Sequence, residues 1–367
     1  MTAAGGDPSR PIFESRIGAR EPGCAVLVRR HDHTVIARGY GVRVSGGVDR
    51  IDPRTNFRLA SVSKQFTAMA IMLLIHEGRL RYDTPVTDVL PEFPSYGRAI
   101  TIRHLLTHTA GLADYEDLMA ADERAGGPAY TPAQQISDAQ VLALLMRESK
   151  PLFPPGSQWA YSNSAYVLLG LIVSRVSGES FASFLHDRVF APLGMRNTRV
   201  AAAGEPAGSR ALGHERTAEG FVVSDQSSTS ATQGDGGVYS NLEDLARWDD
   251  ALAHHRLLPA AAMRAALQPA RLSDGGQTRW PQTPDEDNLA PGEPVSYGYG
   301  WFLDPWAGHA RSWHFGTTQG FRSAIMRFSD DGLTVVVLCN RMDLETRALA
   351  LAVAAPYLGV RSRTGSP

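Results

Sequence analysis

Lysine is almost missing from this chain. Of its 36 basic residues only Lys64 and Lys150 are lysine, and the rest are arginine. Arginine suits solvation and ion pairing but keeps its proton near neutral pH, whereas a desolvated lysine can release one. A lysine retained where arginine is the rule points to a titrating role, and Lys64 stands three residues after a serine in Ser61-Val62-Ser63-Lys64. Cysteine is equally scarce, and Cys24 and Cys339 lie in apolar, strand-like runs that read as sites of buried free thiols. No run of basic residues occurs and the net charge is -2, which sets aside nucleic acid or an anionic membrane as a principal partner. No apolar stretch is long enough to span a bilayer, and the longest, around Ala68 to Ile75, fits a buried helix. Residues 1–20 contain no apolar signal region, so the expectation is a cytoplasmic protein, with export of a longer precursor left open.

What is present is a chain of 367 residues, 43% hydrophobic, able to bury a large core as one domain or two. Strand-like stretches at Cys24 to Arg30 and Thr34 to Tyr40 flank His31-Asp32-His33, which reads as a hairpin turn; the His-x-His pair has no third metal ligand near it. Ser61 to Gly78 carries helical periodicity with Gly78 as its stop. Helical spacing recurs at 101–107, 137–147, 164–176, 180–189 and 241–253, and the Pro/Gly-rich 272–294 stretch predicts a long surface loop at the rim of a site. Strands return at 297–302, 321–327 and 333–340, the last two joined by Asp330-Asp331-Gly332, before a helix over roughly 343–357. The predicted class is α/β of the α+β type. An antiparallel sheet built from both termini is flanked by helices, with a mainly helical lobe inserted. The implied layout is a loose lead-in over 1–20 and one domain over 21–360, with a short tail after it. Its sheet lobe is 21–78 plus 295–360, and its helical lobe 79–294.

Three stretches carry chemistry. On a helix Ser61 and Lys64 share a face, where a neutral lysine can activate a hydroxyl and the helix terminus can stabilise an oxyanion. The alternative is a serine cap with Lys64 reaching solvent. Pro154-Pro155-Gly156 leads into Tyr161-Ser162-Asn163, where the phenol can shuttle protons and the amide can hold Lys64 and a substrate carbonyl. A turn tyrosine followed by a capping asparagine is the plainer reading. In His314-Phe315-Gly316-Thr317 the glycine permits close approach, and a backbone N–H there can complete an oxyanion hole.

The order Ser61-x-x-Lys64, Tyr161-x-Asn163 and His314-x-Gly316 resembles the serine β-lactamase/penicillin-binding-protein superfamily. It is most similar to the branch of class C β-lactamases, family VIII carboxylesterases and D-amino-acid-specific peptidases. His104 to Leu112 and Gly234 to Ser240 followed by Asp244 to Trp248 are similar to further segments of that branch. The resemblance implies Ser61 as the acylated nucleophile, Lys64 as base or electrostatic partner, and Tyr161 as proton shuttle. It implies the N–H groups of Ser61 and Thr317 as oxyanion hole. His104 and His108 lack the glutamate of a zinc-protease helix, so neither metal nor cofactor is expected. The third motif usually reads Lys-Thr-Gly, and His314-Phe315-Gly316 replaces its fixed charge with a group mostly neutral near pH 7. Arg322 either restores a charge for a substrate carboxylate or is an exposed strand residue. The expected activity is a carboxylesterase on small esters or related amides, with a β-lactamase or D-amino-acid peptidase as alternative and a binding protein of the same fold behind both.

Overall fold

The structure, a computed structural model, describes residues 7–201, 210–280 and 293–360. Six antiparallel strands make the main sheet: β1 (Cys24–Arg30), β2 (His33–Tyr40), β3 (Phe302–Leu303), β4 (Ser312–Thr318), β5 (Phe321–Phe328) and β6 (Leu333–Cys339). They are ordered β2-β1-β6-β5-β4-β3, so the two ends of the chain meet in the middle. β1 runs against β6 from Cys24↔Cys339 to Arg30↔Leu333. This is the expected sheet drawn from both termini.

Both faces of the sheet are covered, which is why β1 and β6 read as unbroken apolar runs. Successive side chains point to opposite faces: Ala25 and Leu27 join the core shared with the helical lobe, while Cys24, Val26 and Val28 join a second core behind the sheet. Each Val or Leu so buried contributes about 1.5–3 kcal/mol relative to an exposed one. The front face receives the helix Leu242–Ala253 against β1, β2 and β6 and the turn Ala60–Ser63 against β4 and β5. The helix Lys64–His76 that follows this turn is buried all round from Lys64 to Leu74 because helices of the inserted lobe pack on it. The rear face receives the helices Thr346–Ala354 and Ser9–Glu14. Residues 9–14 therefore do not belong to a loose lead-in. Phe13 is fully buried and stacks on Tyr40 with ring centroids 5.0 Å apart.

The helices Ile102–Leu106, Asp138–Leu145, Phe181–Leu185 and Leu242–Ala253 fall within stretches of expected helical spacing, and Asn163–Ser177 extends the expected 164–176 stretch by one residue at each end. The helix Tyr115–Arg124, capped by Asp114, the hairpin His214–Thr217/Gly220–Val223 and the strand β4 were not anticipated. Gly316 and Gly320, so close together, made β4 read as a Gly-rich connection. The cysteine reading is corrected outright: the β1–β6 register sets Cys24 opposite Cys339, Cα atoms 4.1 Å apart, and the two form a disulfide.

One contact fixes the site. β4 crosses the turn before the Lys64–His76 helix so closely that a Cβ on Gly316 would lie 2.2 Å from Leu59 O and 3.0 Å from Ala60 Cβ. No side chain fits there. Gly316→Ala is expected to cost about 1–3 kcal/mol of stability by overpacking and to lower turnover by roughly 10²-fold by displacing the turn; chemical denaturation and initial rates measure both, and a variant with parental rates would mean that the contact is not needed. A tryptic mass map without reductant is expected to show the Cys24 and Cys339 peptides as one species that reduction splits, whereas titration of two free thiols per unfolded chain would refute the link.

Candidate active site

Ser61 lies on a 3₁₀ turn, Ala60–Ser63, that runs into the α-helix at Lys64, rather than on the first α-turn. With three residues per turn, positions i and i+3 eclipse, so the turn sets Lys64 directly behind Ser61. Ala60 holds a left-handed φ of 48°, unusual for a residue with a β-carbon. Its neighbours lock it: Leu59 N–H donates to Val238 O at 2.9 Å, Ser323 Oγ donates to Leu59 O at 2.7 Å, and Val238 N–H donates to Ser63 Oγ at 3.0 Å. Neither serine caps the helix and Lys64 is 0% exposed, which removes the reading of a capped helix with a solvated lysine.

Lys64 Nζ donates to Ser61 Oγ at 3.0 Å, Asn163 Oδ1 at 2.8 Å and the carbonyl of Asp235 at 3.0 Å. Asn163 is the first residue of its helix, and the cap is Ser162, which accepts from Ala165 N–H. That frees the Asn163 amide for Lys64. Asp114 fixes its backbone, accepting from Asn163 N–H at 3.0 Å. The Tyr161 ring centroid lies 4.8 Å from Lys64 Nζ. The Tyr161 and His108 ring centroids are 4.3 Å apart, and His108 Nδ1 accepts from Ser162 N–H at 3.1 Å, which pins the Tyr161–Asn163 segment. His108 sits beyond the end of its helix with φ 59°, while His104 closes a capping box with Thr101, so the two share no metal-binding face. Among the described residues the one grouping spaced for a metal ion is Asp32, Asp250 and His254, outside this cavity.

Ser61, Tyr161, Asn163 and Thr317 open into a cavity of about 430 Å³. Its walls divide by chemistry. Trp280, Phe302 and Phe315 form an aromatic side, and Asp114, Glu116 and Asp117 an acidic one. Trp280 belongs to the expected rim loop, of which residues 281–292 lie outside the described residues. Burial in the cleft, then Asp114 and Asp235, raise the Glu116 carboxyl to about 7, with Lys64 opposing. Burial likewise raises Asp114. The acidic wall had no motif to announce it; its signal was the run Asp114-Tyr115-Glu116-Asp117, which also reads as ordinary capping and dipole compensation at a helix start.

The third motif departs from its expected role. His314 is fully buried, with Nδ1 2.6 Å from Phe315 O and Nε2 3.0 Å from Tyr297 Oη. A carbonyl only accepts, so the proton is on Nδ1 and Nε2 accepts from Tyr297. Burial first, and then Lys64, push the His314 pKa down to about 3. His314 is a neutral support behind the cavity wall rather than a substrate contact, and Gly316 is a packing contact. Arg322 is not in the cavity either: it lies on the rear face, paired with Glu345 at 3.1 Å. Thr317 does face the cavity. It stands opposite Arg322, beside the Thr318↔Phe321 pair that closes a two-residue turn, and the alternation of the ladder turns its N–H away from β5.

The sequence matches the Beta-lactamase family over residues 11–357. It is 33% identical over 324 residues to penicillin-binding protein 4* of Bacillus subtilis (strain 168), covering 82% of this chain and 64% of that one. This chain thus spans less than two thirds of that relative. It is 30% identical over 367 residues to the esterase EstB of Burkholderia gladioli, covering 83% of this chain and 92% of EstB. Among solved structures, EstCE1, a hydrolase with promiscuous acyltransferase activity, shares the fold with a TM-score of 0.77 at 24% identity, covering 95% of this chain and 97% of that one. A match along nearly the whole length, on a fold that brings Ser61, Tyr161 and Asn163 into one cavity with Lys64 directly behind Ser61, places this chain in the Beta-lactamase family.

Proposed function

We propose that the protein hydrolyses small carboxylic esters or related amides that carry no carboxylate near the reacting carbonyl. The observation that carries this reading is the Lys64 Nζ to Ser61 Oγ contact of 3.0 Å at the base of a cavity walled by carboxylates and aromatic rings. With Lys64 as the amine, its N–H groups donate to Asn163 Oδ1 and the Asp235 carbonyl and its lone pair faces Ser61. Ser61 Oγ then bonds to the carbonyl carbon while its proton passes to Nζ, and the charge on oxygen is met by the N–H groups of Ser61 and Thr317. As the bond to the leaving group breaks, the proton moves through Tyr161 onto the departing oxygen or nitrogen. Water then reverses the sequence and frees the acid.

The acidic wall supports a second reading, an aminoacyl ester or amide, because Asp114, Glu116 and Asp117 offer acceptors for a substrate ammonium. The same wall, with His314 neutral and Arg322 turned away, disfavours β-lactams and other carboxylate-bearing substrates. The Cys24–Cys339 disulfide supports an oxidising compartment as the place of action, against the cytoplasmic expectation.

Nitrophenyl butyrate is expected to turn over faster than a chromogenic cephalosporin, with Ser61→Ala losing at least about 10³-fold and Lys64→Arg roughly 10²–10⁴-fold because arginine cannot take the proton. Parental rates in Ser61→Ala would end the assignment, and a faster cephalosporin would reverse the substrate class. Glu116 gains its charge as pH rises through about 7. The KM for an ester with a trimethylammonium group on its acyl chain is therefore expected to fall between pH 6 and pH 8 relative to the butyrate ester; parallel KM values would remove Glu116 from substrate recognition.

A further inference from the structure

The cleft does not end at the nucleophile. Beyond Glu116 and Thr317 a second cavity of about 540 Å³ opens, and those two residues belong to the walls of both. Glu116 and Glu123 come from one helix and Glu215 from the 214–223 hairpin, while no lysine or arginine lines the space. Ser227, Thr229 and Thr318 line it with hydroxyl groups.

Glu215 is held in place without being neutralised. Its Oε1 accepts from Ser224 Oγ at 3.0 Å and from Gln319 Nε2 at 3.1 Å, both uncharged donors. Glu116, Glu123 and Glu215 have no ion-pair partner among the described residues. They also do not converge as a metal ion requires, since the one such grouping among the described residues lies elsewhere. The field of spread carboxylates beside a partly apolar wall of Met119 and Tyr130 suits a cation on a flexible chain better than a compact ion.

We propose that this second cavity is a distal substrate subsite that takes a primary ammonium or guanidinium group carried several bonds from the reacting carbonyl. The proposal rests on the reading of Ser61 as the acylated residue only for its orientation, with the carbonyl at Ser61 and the cation beyond Glu116. The substrate class becomes an ester or amide with a basic, extended acyl or leaving group.

The test is calorimetric titration of the full-length Ser61→Ala protein with 8-aminooctanamide, octanamide and the monoamide of octanedioic acid. Binding of the amine is expected to be about fivefold tighter than that of the neutral amide, the size expected of partly solvated ion pairs, with the carboxylate weakest. Glu123→Gln combined with Glu215→Gln in that background is expected to bring the amine-to-neutral ratio close to one. Equal affinities for amine and neutral amide, or a ratio that survives the double substitution with thermal unfolding unchanged, would overturn the subsite. If the double variant does not fold, Glu123→Gln alone, at an exposed position, is expected to lower the ratio, and an unchanged ratio overturns the proposal. Because Ser61→Ala cannot be acylated, this outcome is independent of the hydrolase reading, which labelling of the wild-type Ser61 with a fluorophosphonate tests separately.

Discussion

A side chain that carries an amine to a fully buried position has to be met by acceptors, and Lys64 is where remote stretches of this chain meet that demand. Its Nζ is held by Ser61 from its own turn, Asn163 from the helical lobe and the carbonyl of Asp235 from the loop before the short strand Val238–Ser240. Leaving any of these out would strand a buried polar group at a cost of about 1–3 kcal/mol or more. The packing around it follows from bringing them together. Thr67 Oγ1 donates to Gly234 O at 2.6 Å, tying the same loop to the next turn of the helix. A Cβ on Gly234 would fall 2.2 Å from Tyr166 O, so the loop reaches Lys64 only because that residue has none.

The same buried amine shapes the protonation of its surroundings. Burial is the larger cause at both histidines, with Lys64 adding to it, and both are driven toward the neutral form: His314 to about 3 and His108 well below its ordinary value. At the carboxylates the two effects oppose each other. Burial raises Asp114 and Glu116 while Lys64 pulls them down, and burial prevails in each. The result is a site with hydrogen-bond donors and acceptors in fixed places and no second cation facing the substrate from His108 or His314.

Much of this could be read from sequence, for physical reasons. Ser61 and Lys64 were legible because a fixed spacing on a helical turn is a local property, and Tyr161 and Asn163 because a Pro-Pro-Gly turn and a helix start bound them closely. The two-ended sheet followed from strands with no other partners. What failed depended on register or facing. Cys24 and Cys339 are linked only because β1 and β6 are neighbours in one particular alignment, and nothing local to either cysteine states it. Arg322 was a question of strand parity: Ser323 points forward to Leu59, so Arg322 must point back to Glu345. His314 kept its place in the order of motifs, but its burial depends on Tyr297 and on Phe315's own carbonyl. The acidic wall was hidden by ambiguity, since acidic residues at a helix start need no further reason to be there.

The facing of charges across the sheet supports the proposed substrate preference better than any one contact. Behind β4 and β5, Arg322 and Arg347 both pair with Glu345, each at 3.1 Å, and the Arg347 guanidinium lies 4.6 Å from the Phe315 ring centroid on that side. In front, the charged groups on the cavity wall are carboxylates. A lysine in place of His314 would have set a positive charge close to Lys64 in a buried setting, where like charges disfavour one another strongly. Replacing it with a histidine that burial keeps neutral removes that conflict and leaves the carboxylates to set the sign of the cavity. Because low-dielectric walls of one sign focus the field along a cleft, the proposed selection against anions rests on the whole surface from Asp114 to Glu215, and it does not require the third motif to touch the substrate at all.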